Sequence, residues 1–145
     1  MAAAHAAGVT GSRARTPAQL SGDAAEGLAA RYLVAAGWTV LGRNLRVGRG
    51  ELDILAVDPG PPRTLVAVEV RWRRRRDFGL AEETFDWRKR RHVRRATFEL
   101  LERGRLADGT PVPALPLRFD LVVVEPAPGR DEPPQIRHHR HAVGG

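Results

Sequence analysis

An α/β domain, built as a mixed sheet flanked by helices in the order α-β-β-β-α-β, is what this sequence predicts. Two stretches with helical spacing of apolar residues, "SGDAAEGLAARYLVAAG" and "DWRKRRHVRRATFELLERG", are separated by short apolar runs of strand length. Those runs are rich in Val, Leu and Ile and are bounded by Gly and Pro clusters. Helical and strand patterns also interleave along the chain instead of segregating, which is how a sheet with helices packed on it is encoded. With 145 residues the chain can bury one real core.

Taken in order, residues 1–20 are small and polar without periodicity and read as a disordered leader, followed by a domain over 21–125 and an irregular tail over 126–145. In the first helix Ser21 or Asp23 is the expected cap. Ala25, Leu28, Ala29, Tyr32, Leu33 and Ala36 form its apolar stripe, and Gly37 stops it. Glu26 borders that stripe. "WTVLGRNLRV" is the first strand. "GELDILAVD" and "TLVAVEVRW" form a hairpin around Asp58–Arg63, where Pro59, Gly60, Pro61 and Pro62 force the turn. The second helix ends at Gly104, and "LRFDLVVVE" is the last strand.

Charge narrows the function classes. Of 24 basic residues, 23 are Arg and only Lys89 is Lys. Between Arg71 and Arg95 eleven basic residues face four acidic ones, a surplus equal to the +7 of the whole chain. A focused basic segment points to a polyanionic partner, nucleic acid before an anionic membrane surface. Arg73, Arg74, Arg75 and Arg76 leave the hairpin. On the second helix Arg88, Arg91 and Arg95 run along an outward line, and Lys89 begins the inward line of Val93, Ala96 and Leu100. The absence of Cys excludes disulfides and thiolate metal sites. No signal peptide or membrane span is apparent, so a cytoplasmic location is expected.

The hairpin carries the chemistry. If Val57 lies across from Leu65, Asp53 falls opposite Glu69 and Glu51 opposite Arg71, all on the face away from Leu52, Ile54, Ala56, Val66, Val68, Val70 and Trp72. Two facing carboxylates repel unless one is protonated or a cation joins them. A divalent ion is one remedy: Mg²⁺ takes one or two carboxylates and keeps positions for water and phosphate. Ordinary strand ion pairs of Asp53 and Glu69 with Arg49, Arg71 or Arg73 are the competing reading, and Glu51 with Arg71 reads as a weak surface pair. Asp120 reads as structural, and Trp38, Trp72 and Trp87 as core. His138, His139 and His141 are too weakly organised in the tail to read as a metal site.

"GELDILAVD", "LVAVEVRWR", Phe78-Gly79, the Lys89 helix and "LRFDLVVVE" together resemble the YraN family of bacterial proteins. That family is similar to archaeal Holliday-junction resolvases and to nucleases of the PD-(D/E)xK type. The resemblance spans roughly residues 21–125. It implies a restriction-endonuclease-like core, Asp53 and Glu69 as ligands of Mg²⁺ or Mn²⁺ with the Val70 carbonyl beside them, and Glu26 as the first-helix acid. Arg71 stands where the nuclease pattern has its catalytic Lys. A guanidinium stabilises phosphate charge but does not give up a proton near neutral pH, so Arg71 departs from the nuclease pattern for any step needing a neutral amine there.

A metal-dependent endonuclease acting on DNA, branched DNA included, is therefore the first expectation, with Asp53, Glu69, Arg71 and Glu26 as its catalytic set. A homodimer is expected only by analogy with resolvases. A non-catalytic nucleic-acid-binding module that keeps the nuclease fold is the alternative, and an interaction domain for an acidic protein is the third.

Overall fold

A computed structural model describes residues 17–73, 87–125, 127, 129 and 131–140, with side chains from Gly22 onward in the first helix and from Arg91 onward in the second. Helix α1 spans Pro17–Ala35 and strands β1, β2 and β3 span Thr39–Val47, Gly50–Asp58 and Thr64–Trp72. Helix α2 spans Trp87–Arg103, β4 Leu117–Glu125 and β5 Gln135–Arg140. One five-stranded sheet runs β1-β2-β3-β4-β5, antiparallel except for the parallel β3–β4 pair. The protein is an α/β domain with two helices flanking a mixed sheet, consistent with a restriction-endonuclease-like core.

Alternation along the central strands builds a core on each side. Ile54, Ala56, Val66, Val68, Val122 and Val124 pack with Ala25, Ala29, Leu33 and Trp38 under α1. Leu55, Val57, Leu65 and Ala67 pack with Val93, Ala96 and Leu100 under α2. The hairpin face expected to be polar is thus covered by the second helix, and both sides of the hairpin are buried over Ile54–Asp58 and Thr64–Glu69. Small residues at Ala25, Ala29 and Ala30, all buried, let α1 lie close to the sheet.

Two boundaries differ from expectation. Helix α1 begins at Pro17, so Ser21 and Asp23 lie within it and not at its N-terminus. Proline suits a helix start because its missing N–H would lack an intrahelical partner there anyway. The tail expected to be irregular contributes β5, paired with β4 from Asp120↔Arg140 to Glu125↔Gln135. The C-terminus of α1 follows its reading. Gly37 adopts φ +93°, its N–H donates to Val34 O at 3.0 Å, and Trp38 N–H donates to Leu33 O at 3.0 Å. These two bonds satisfy carbonyls at the end of the helix, and Trp38 packs in the same cluster as Leu33.

Candidate functional site

The register of the hairpin is the expected one. Val57 pairs with Leu65, and the ladder continues to Ile54↔Val68. There it stops. Instead of facing Glu69 in a regular pair, Asp53 turns its carboxylate to the backbone, and Oδ2 accepts from Val70 N–H at 2.8 Å. A strand carboxylate has taken the donor of the residue that follows Glu69.

The cause is visible in the neighbouring strand. Asn44 lies between Arg43↔Ile54 and Leu45↔Leu52, in the left-handed region at φ 51°. Left-handed residues break strand alternation, and Asn tolerates them better than most. Leu45 and Leu52 accordingly pack under α2, whereas Ile54 packs under α1. Leu52 and Ile54, expected on one face, are on opposite faces. Asp53 sits at the switch, half-buried.

Glu26 of α1 belongs to the same neighbourhood. Burial pushes its carboxyl above the usual range, the charge of Asp53 pushes it further, and Arg43 partly offsets both. Arg43 Nε lies 3.5 Å from Glu26 Oε1. Glu69 is fully buried, at 0% exposure. Alternation in β3 places it and Arg71 on the side of Leu65 and Ala67, while Val70 packs on the α1 side. Asp53 is thus tied to the Val70 N–H, one residue after buried Glu69, and does not face Glu69 across a regular ladder.

Among the described residues no three His, Cys, Asp or Glu side chains are grouped to hold a metal ion. Asp53, Glu69 and the Val70 carbonyl offer only oxygen donors, the kind that suits Mg²⁺ or Mn²⁺, which use few protein ligands and retain water, and not a soft metal.

The basic residues divide. Arg91 and Arg95 are exposed on α2, as the outward line requires. Arg73 is a correction: it is buried at 9%, and Nη1 donates to Glu125 at 3.3 Å. Arg137 pairs with Glu125 as well. Arg73 is thus part of the fold and is not presented to a phosphate backbone. Arg74, Arg75 and Arg76 lie outside the described residues, as do the side chains of Arg88 and Lys89. Glu51 pairs with Arg46 of β1 at 3.5 Å, a partner that the expectation of Arg71 missed.

A second polar cluster went unread in the sequence. Asp120, fully buried, accepts from Arg118 Nε at 2.9 Å and lies 2.8 Å from His138 Nε2. Arg118 Nη2 also donates to Asp58 at 3.0 Å, and Tyr32 Oη lies 3.1 Å from His138 Nδ1. Asp120 is structural, but through side chains. The available signal was Arg118 and Asp120 two residues apart on one strand face, with Asp58 closing β2.

An α/β fold with two helices flanking a five-stranded mixed sheet, consistent with a restriction-endonuclease-like core, is the class that these elements define. Comparison with known proteins gives the family. The model for "Uncharacterised protein family UPF0102" matches residues 25–124. A UPF0102 protein of Symbiobacterium thermophilum is 40% identical over 107 residues, covering 74% of this chain and 83% of its own. One from Bifidobacterium longum subsp. infantis is 36% identical over 133 residues, covering 91% and 98%. One from Pseudomonas paraeruginosa is 39% identical over 113 residues, covering 77% and 83%. The chain belongs to the UPF0102 family, the YraN family of the resemblance.

Proposed function

We propose that this protein is a Mg²⁺- or Mn²⁺-dependent endonuclease that hydrolyses DNA phosphodiester bonds. The observation that supports the reading is a fully buried Glu69 one residue before the Val70 N–H that holds the Asp53 carboxylate, at a break in the sheet. Desolvating a carboxylate is costly unless its charge is used or neutralised, and a second carboxylate nearby raises that cost. A divalent ion bound by Asp53 and Glu69, with the Val70 carbonyl beside them, would polarise the phosphodiester and lower the pKa of an attacking water.

The chain's own residues supply the rest. The Val70 N–H fixes one oxygen of Asp53, so the carboxylate is oriented before any ligand arrives. Glu26, held by Arg43 and raised in pKa by burial and Asp53, is suited to accept or share a proton at this edge. Arg71 offers a charged fork to the phosphate oxygens. Exposed Arg91 and Arg95 offer sequence-independent contacts to the DNA backbone.

The test compares wild type with Glu69→Gln, which keeps size and shape, on labelled four-way junction, flap, single-stranded and duplex DNA. Cutting by wild type with Mg²⁺ or Mn²⁺, lost in the variant and in chelator, is the expected result. Equal cutting by the variant contradicts it. If neither cuts and both bind DNA with strong salt dependence, the non-catalytic binding module is the correct reading.

A further inference from the structure

We propose that the cavity beside the Asp58–Arg63 turn binds a phosphate group, carried free or on a nucleotide or strand end, through Arg118 and Arg140. This does not rest on the nuclease reading. The cavity, of ≈ 340 Å³, is lined by Trp38, Asp58, Gly60, Arg118, Arg140 and the prolines of the turn. That volume lies at the lower end of the range of about 300–1,000 Å³ typical of small-ligand sites.

The two guanidiniums differ in how they are held. Arg118 is 8% exposed, and its bonds to Asp58 and Asp120 run through Nε and Nη2. Nη1 takes no part in these bonds, although the side chain lines the cavity. Arg140 is 57% exposed and reaches Asp58 only at 3.6 Å. Both lie over the Trp38 ring, with guanidinium carbons 5.5 and 5.8 Å from its centroid. Trp38 is itself buried, so the ring acts as a platform for the cations and is not available to stack a base.

Two planar cations converge on one cavity. Arg140 presents a guanidinium fork suited to two-pronged binding of phosphate oxygens. Arg118 adds the single donor nitrogen Nη1, its Nε and Nη2 being held by Asp120 and Asp58. Their mutual repulsion is already met by Asp58 and Asp120, which leaves this group of four side chains without net charge. A phosphate would therefore be held by directed N–H donors and not by a strong field. Its binding should depend on salt much less than binding to the exposed arginines of α2.

The turn is shaped to keep the cavity. Gly60 has φ +66°, and a Cβ there would lie 2.2 Å from the Pro62 carbonyl carbon. Gly60 N–H donates to Asp58 Oδ1 at 2.9 Å, which leaves the other oxygen for the two arginines.

The experiment follows arginine Nε and backbone amide signals of the full-length ¹⁵N-labelled chain during titration to millimolar concentration. The probes are inorganic phosphate, thymidine 5′-monophosphate, thymidine, and a short oligonucleotide with a 5′-phosphate or a 5′-hydroxyl. Saturable shifts at Arg118, Arg140 and Gly60 with the phosphate-bearing probes, and none with thymidine, are expected. Arg140→Gln should weaken that binding by about tenfold, about 1.4 kcal/mol, with the melting temperature essentially unchanged. Equal affinity for inorganic phosphate and the mononucleotide supports the site and assigns it to the free ion. Tighter binding of the 5′-phosphorylated strand supports it and assigns it to strand ends. Absence of shifts at these three residues, identical shifts in Arg140→Gln, or shifts confined to Arg91 and Arg95 would overturn the proposal.

Discussion

Arg73 and Glu125 pair with side chains 9% and 4% exposed, and Arg137 holds the other oxygen of Glu125, so removing Arg73 costs a buried charged hydrogen bond while Glu125 keeps one cation. Arg73→Ala is expected to lower stability by about 1.5–3 kcal/mol. Arg91→Ala and Arg95→Ala should stay within about 0.5 kcal/mol, because both side chains are exposed. Urea unfolding of the three variants checks the ranking. Nothing local separates Arg73 from the arginines that follow it, because the distinguishing partner is 52 residues away. Its role was not legible in the sequence for that reason.

Asp58 gives a pH dependence. Burial pushes its carboxyl up, but the Gly60 N–H, Arg118 and Arg140 outweigh burial and hold it below the usual range. A carboxyl lowered in the folded state contributes stability that is present above its unfolded value of about 3.9 and is lost as pH falls through the folded value. Asp58→Asn should therefore be less stable than wild type near neutrality, with a gap that closes in acid. Unfolding at neutral pH and again below the ordinary Asp range measures this. A gap that widens in acid would contradict it.

At the scale of elements, the hydrophobic patterns read well. Val93, Ala96 and Leu100 are buried on α2, and the hairpin has the expected register because apolar alternation and the Pro-rich turn leave little choice. Strand β5 was not legible. "QIRHHR" has one aliphatic residue and forms the outer strand of β4, where backbone pairing and the polar partners of His138 and Arg137 do the holding. Periodicity detects apolar faces and is blind to such a strand. The Asp53 break was also illegible, since it depends on a left-handed Asn44 in the adjacent strand. Leu33, fully buried between α1 and the sheet, sets the scale of core packing. Leu33→Ala should lower stability by about 2–5 kcal/mol in the same urea assay.

For the whole molecule, charge and site play separate parts. The sequence places a surplus of seven positive charges between Arg71 and Arg95, and Arg91 and Arg95 of that segment are exposed. If they meet DNA, replacing both with Ala should weaken binding across all sequences and flatten its salt dependence by about two units of slope. Fluorescence anisotropy at several salt concentrations reads both quantities. An unchanged slope would remove α2 from the DNA-binding surface. The acidic pair was legible as residues, because GE-x-D and VEV at this spacing stand out. The bond of Asp53 to the Val70 N–H was not.

The central claim is that Asp53 and Glu69 hold a divalent ion, and Mn²⁺ binding followed by electron paramagnetic resonance tests it most directly. The full chain, Asp53→Asn and Glu69→Gln would be titrated side by side after confirming that each variant is folded. The expected result is one saturable Mn²⁺ site in the wild type, displaced by Mg²⁺ and lost or much weakened in both variants. Absence of a saturable site in the folded wild type, or unchanged binding in the variants, would contradict the account.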